Sequence, residues 1–120
     1  MPELITLPRV IDAAGNLPKS IEEYVGRIST NTKKVSIARM KSPAGWEEPG
    51  QTPEFEEYTL VLKGTLRVAT KDTEYDVNAG QAIIIERNTW VKYSTPKKEG
   101  AEYISVCTPA FSVETVHRDA

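Results

Sequence analysis

The chain has 120 residues, the length of one ordinary domain, and 39% are apolar against 27% charged; that balance suits a folded domain with a modest core and excludes a disordered chain. Fifteen basic residues against 17 acidic ones leave a formal charge of −2 with the single His117 neutral, which argues against a basic nucleic-acid footprint and against an acidic solvating tail. The longest apolar run is the four residues Ala82 to Ile85, and there is one cysteine, Cys107, so a membrane-spanning helix, an internal disulfide and a paired Cys/His zinc site are all excluded.

Along the chain, Met1-Pro2-Glu3-Leu4 lacks the basic and apolar regions of a signal peptide, and with a lone cysteine this gives a cytoplasmic expectation. Leu4 to Val10 reads as a short strand or an extended arm, with Pro8 placing it at an edge. Gly15-Asn16 marks a turn. Ser20 followed by Glu23 has the form of a capping box, in which each side chain satisfies an orphan backbone N–H. Ile21, Tyr24, Val25 and Ile28 recur at helical spacing, so the pattern predicts a short amphipathic helix over about 20–28, against the weakening effect of Gly26.

From Lys33 onward the period becomes that of strands. Val35 to Met40, Phe55 to Lys63, Thr65 to Thr70, Thr73 to Val77, Gln81 to Glu86, Trp90 to Thr95 and Ala101 to Cys107 are β-rich. Lys63-Gly64 reads as a hairpin turn between the second and third. Lys71-Asp72, Asn78-Ala79-Gly80, Arg87-Asn88-Thr89 and Pro96 to Gly100 supply further turns. Seven short strands with such punctuation are the pattern of an all-β sandwich or barrel. Gly64 and Gly80 fall at junctions that call for a positive φ, and Asn88 is a non-glycine residue that tolerates one.

Two stretches carry a resemblance. Pro49-Gly50-Gln51-Thr52-Pro53-Glu54-Phe55-Glu56-Glu57 through Gly64 resembles the first motif of the cupin family, with Glu57 and Gly64 at its Glu and Gly spacing. Gly80 through Tyr93 resembles the second motif, where Gly opens a strand and a turn delivers a further ligand. The resemblance covers roughly residues 33–110. It implies a small single-domain (RmlC-like) cupin: an all-β, jelly-roll antiparallel barrel over 33–120, preceded within the same domain by an arm and short helix over 1–32. It also implies a homodimer, since such arms often pack on a partner subunit.

A typical cupin offers three His and one Glu to a transition metal. Laid on this chain, the pattern puts Gln51 and Pro53 at the first two His places, Glu57 at the Glu place and Val91 at the last His place. Glu57 is the one strong ligand left and Gln51 a weak oxygen donor. The resemblance therefore implies no confident cofactor. A divalent metal, if held, would draw on Gln51, Glu57 and His117, the last only if the tail folds back over the barrel.

A pocket is the alternative. Gln51, Glu57 and Thr59 fall on one face of a regular strand. Arg39 and Arg67 lie on neighbouring strands, and Trp46, Trp90 and Tyr93 offer walls. Tyr103, Ser105 and Cys107 share a face of the last strand. Three readings stay open: a metal-free or weakly metal-binding barrel for a small polar metabolite; a small isomerase-, lyase- or dioxygenase-like enzyme with Glu57 as acid, base or metal ligand; and a non-catalytic interaction module. Against each stands a plainer role. Glu57 would be a remnant carboxylate paired with Arg39 or Arg67, Gln51 a turn residue, and Cys107 a small buried hydrophobe. No nucleic-acid or membrane partner is expected.

Overall fold

A computed structural model describes residues 2–120; Met1, the first residue of the expected arm, lies outside them. The described residues form nine strands: β1 (Arg9–Val10), β2 (Ser20–Val25), β3 (Ser36–Ser42), β4 (Trp46–Glu47), β5 (Glu56–Ala69), β6 (Glu74–Asn78), β7 (Ala82–Ile85), β8 (Lys92–Thr95) and β9 (Ala101–Thr108). They pair antiparallel in the order β1-β2-β3-β9-β5-β8-β4, with β6 and β7 also on β5. The result is a curled antiparallel barrel, as the strand pattern predicts. Among the described residues no helix is long and apolar enough to cross a membrane.

The long strand β5 is the hinge of this architecture. Its first half pairs with β9 and β7, and its second half with β6 and β8. The expected hairpin at Lys63-Gly64 is not formed. The chain instead bends within one continuous strand, where the register with β9 shifts between Val61 and Lys63. Gly64 sits at the bend with φ +72°, and a Cβ there would meet the carbonyl of Gly100. Only glycine combines that φ with that approach. Asn88 also takes the expected positive φ, +63°.

The short N-terminal helix is corrected as well: Ser20–Val25 is strand β2. Its burial alternates, with Ile21 and Glu23 inward and Glu22 and Tyr24 partly exposed. Pairing with β3 covers an edge that would otherwise present unpaired N–H and C=O groups. Glu23 does not close a capping box. Its buried carboxylate accepts from the Ser29 N–H at 2.8 Å and so ties down the loop that follows.

The core has two parts. Trp46, Val61, Leu66, Val68, Val77, Ile85, Val91 and Tyr103 belong to the larger one. Phe55, Cys107 and Val116 form a smaller one, with Phe111 packed on it. Polar side chains line the space between the walls.

Candidate functional site

Strict alternation along β5 and β9 decides which side chains reach the interior. Glu57, Thr59 and Val61 point inward from β5, as do Tyr103, Ser105 and Cys107 from β9. β8 contributes Tyr93, and β3 contributes Ser36, Ala38 and Met40. All of these except Thr59 and Val61 wall a cavity of about 60 Å³. One water needs roughly 10–15 Å³ on this scale, so the space holds about four to six waters or a molecule of similar size.

Glu57 lies on the cavity wall. Its Oε1 accepts from the Tyr93 hydroxyl at 3.0 Å. Burial raises its pKa, against the stabilising pull of Tyr93, Lys19 and Ser105. Tyr93 is pushed well above the usual phenol range by burial and by Glu57 beside it. Cys107 and Tyr103 are also driven upward, chiefly by burial. Burial thus disfavours the thiolate form of Cys107.

Further groups reach the cavity from outside these strands. Glu48, just after β4, is buried, which lifts its pKa to about 7 against the pull of Lys19 and Arg118. Lys19 enters ahead of β2. Its ammonium donates to the Tyr103 hydroxyl at 2.9 Å and lies 4.0 Å from the centre of the Trp46 ring. Burial lowers its pKa to about 8, opposed by Glu48 and Glu57. Arg118 arrives from the C-terminal segment, whose backbone pairs with Gln51. Gln51 also exchanges two backbone hydrogen bonds with Val91, each 2.9 Å. Its side-chain Oε1 is buried with no partner among the described residues.

The expected pocket residues divide. Gln51, Glu57, Tyr93 and Cys107 line the cavity. Thr59 is buried on the same face but bonds Ser105 at 3.2 Å and does not line the space. Trp46 is fully buried core beneath Lys19. Arg39 points to the outer face and pairs with Glu102, while Arg67 pairs with Asp76 and Glu74. Neither arginine is therefore an ion-pair partner of Glu57. Trp90 stands outside, donating to Asp119 at 2.9 Å. His117 is exposed and bonds Glu54, so it does not join Gln51 and Glu57.

The model for the cupin domain matches residues 38–107, more than half of the chain. The chain belongs to the cupin family. Cupins of known structure share its fold at low identity. The EutQ protein of Clostridium difficile superposes with a TM-score of 0.66 at 18% identity, covering 85% of this chain and 73% of that one. The polyketide cyclase RemF of Streptomyces resistomycificus gives 0.70 at 15%, covering 96% and 88%. Oxalate decarboxylase of Bacillus subtilis gives 0.77 at 15%, covering 98% of this chain and 33% of that one. Likeness at this level concerns the fold alone. A protein of Myxococcus xanthus described as endoribonuclease YbeY is 40% identical over 101 residues, which is 84% of this cupin and 34% of that protein. The chain thus spans about a third of that relative's length.

The residues present do not fit the metal of a typical cupin. At the four motif places stand Gln51, Pro53, Glu57 and Val91, and two of these carry no donor atom in their side chains. Among the described residues no group of three His, Cys, Asp or Glu side chains is close enough to hold an ion. The interior is a cavity with one motif carboxylate, Glu57, on a wall that mixes polar and apolar side chains.

Lys19, Glu48 and Arg118 escaped the sequence reading. Lys19 and Arg118 lie outside both motif stretches, and Glu48 immediately precedes the first. Only the non-local bridge of Arg118 to Gln51 and the packing of Lys19 on Trp46 bring them together.

Proposed function

We propose that this cupin binds a small polar organic molecule in its barrel, with Glu57 and Gln51 as polar anchors and no resident metal. The observation that carries this reading is the pairing of a buried, burial-perturbed carboxyl with an unpartnered acceptor on one cavity wall. Buried polar groups are costly unless bonded, so a cavity that retains them suits a polar occupant. The space is far smaller than a nucleotide, which weighs against carrying over the activity in the name of the Myxococcus relative. Thermal-shift screening of a small-metabolite library tests the reading. Hits that stabilise the native chain and not Glu57→Gln support it; hits that shift both equally remove Glu57 from the site.

A second reading is favoured by the raised pKa of Glu57. A carboxyl whose proton affinity is raised inside a cavity suits general acid or base work. Chemical change of a bound hit, abolished in Glu57→Gln, separates an enzyme from a binder.

We also propose that the outer face of β7, β5 and β9 meets a second copy of the chain. Tyr58, Leu60, Leu62 and Ile84 stand 39%, 45%, 42% and 64% exposed. Tyr58 is in register with Ile84 and Val106, and Leu60 with Ile104, so they form one apolar surface. Glu56 closes this surface at one end. Lys41 and Lys63, both in register with Glu102, close it at the other. A two-fold rotation lays the acidic end of one copy on the basic end of the next.

A further inference from the structure

Two buried polar atoms lack partners at the cavity, the acceptor Gln51 Oε1 and the donor Arg118 Nε. They belong to residues facing each other in an antiparallel bridge, and both side chains line the same space. Side chains of such a pair leave the backbone on one side, close enough for a single small molecule to touch both. Lys19 adds a second cation to the wall. Among the described residues neither Lys19 nor Arg118 has a carboxylate within ion-pair distance.

Glu48 and Glu57 share the cavity and attract Lys19, but neither stands within ion-pair distance of Lys19 or Arg118. Glu23 is engaged with the Ser29 N–H, and Asp12 sits at the exposed rim. What lacks a partner is a buried guanidinium N–H and one buried acceptor, beside an ammonium whose one described hydrogen bond is to Tyr103. An anion suits the guanidinium and the ammonium, and a hydrogen-bond donor suits the acceptor.

We infer that the cavity takes a small 2-hydroxy monocarboxylate, its carboxylate on Arg118 and Lys19 and its hydroxyl donating to Gln51 Oε1, a proposal that rests on the reading of the barrel as a metabolite site. Glycolate and lactate match the size of the space. Acetate lacks the donor. Oxalate sets a second acceptor against Gln51 Oε1 and the carboxyl of Glu57. Glycine brings its donor as an ammonium beside the Lys19 cation. Glycerol leaves the guanidinium without a counter-charge.

Calorimetric titration of the native chain with glycolate, lactate, acetate, oxalate, glycine and glycerol tests this at neutral pH in a carboxylate-free buffer. Glycolate or lactate should bind roughly tenfold tighter than acetate, oxalate or glycine, since a buried acceptor left unpaired forfeits about that factor. Arg118→Gln and Lys19→Gln should each weaken glycolate about ten- to hundred-fold. Arg67→Gln, which alters a cation outside the cavity, should leave it unchanged. Arg118→Lys covers the case in which Arg118→Gln does not fold: it keeps a cation for the carboxylate, so it should retain more glycolate binding than Arg118→Gln and keep the preference for glycolate over acetate, which rests on Gln51 Oε1. Glycolate binding no tighter than acetate, or unchanged in both the Arg118 and Lys19 variants, overturns the inference. Glu57-dependent library hits that are all uncharged overturn it alone and leave the metabolite site standing. A library with no Glu57-dependent hit removes the reading beneath it.

Discussion

The Tyr93 hydroxyl donates to Glu57 Oε1 at 3.0 Å, across the interior of the barrel. Tyr93 is in register with Val68 in the second half of β5, whereas Glu57 lies in the first half. The bond therefore ties together the two half-sheets that β5 joins. Tyr93→Phe keeps the ring and removes the donor, leaving a buried carboxyl short of a partner. The expected loss is about 1–3 kcal/mol of unfolding free energy. Because this donor favours the ionised form of Glu57, the loss should grow as pH rises. Urea unfolding of the variant at acidic and at alkaline pH checks both the size and the trend; a loss independent of pH assigns the effect to packing alone.

Glu48 gives the stability a defined pH dependence. Its pKa rises from 4.5 to about 7 on folding, so between these values the folded state holds more protons than the unfolded one. Stability from this group is then fully present below pH 4.5 and is lost as pH climbs to about 7. Lys19 acts in the opposite sense. Its pKa falls from 10.5 to about 8, so its burial cost is borne below pH 8 and relieved towards 10.5. Together the two place the weakest point of the cavity near neutral pH. Glu48→Gln should match the native chain at pH 4 and exceed it by up to about 3 kcal/mol at pH 8. Parallel denaturant titrations across that range measure the difference, and a constant offset would refute the linkage.

How much could be read from residues alone follows the range of each signal. Alternation acts between neighbours two apart, so the inward placement of Glu57 with Thr59, and of Tyr103 with Ser105 and Cys107, was legible. The positive φ at Gly64 and Asn88 was legible because few residues adopt it. The meaning of Gly64 was not. A turn between two strands and a bend within one strand use the same local chemistry, and only non-local pairing, with β9 and β7 up to Gly64 and with β6 and β8 beyond it, chose between them. Lys19, Glu48 and Arg118 were invisible for the same reason, because their convergence depends on non-local packing. Arg39 and Arg67 were placed on the right strands but on outward positions, where Glu102 and Asp76 hold them.

The Ser20 to Glu23 segment shows tertiary pairing overriding a local helix signal, and it yields its own test. In a capping box the hydroxyl of Ser20 would matter as much as the carboxylate of Glu23. Here Ser20 is exposed at the start of β2, while buried Glu23 accepts from Ser29 N–H at 2.8 Å. Glu23→Ala should cost about 1.5–3 kcal/mol, the usual range for a hydrogen bond to a charged group. Ser20→Ala should stay within about 0.5 kcal/mol, as at ordinary surface positions. Comparable losses in the two variants, measured by thermal unfolding, would restore the helical cap.

The apolar outer face gives the last prediction. Tyr58 and Leu60 lie at its centre, flanked by Ile84 on β7 and by Val106 and Ile104 on β9. Two such faces packed sheet on sheet would hide these side chains from water, each apolar side chain contributing up to about 1.5–3 kcal/mol when fully buried. A carboxylate at the centre of that contact would be stranded without a partner, at a cost large enough to part the copies. The single variant Leu60→Glu should therefore convert a dimer to a monomer while leaving the cavity intact, because Leu60 and the cavity-lining Glu57 point to opposite faces of β5. Light scattering at matched concentrations gives the mass, and ligand binding by the same variant reports the interior. A native chain that runs as a monomer, or a variant that stays dimeric, would remove this face from the assembly.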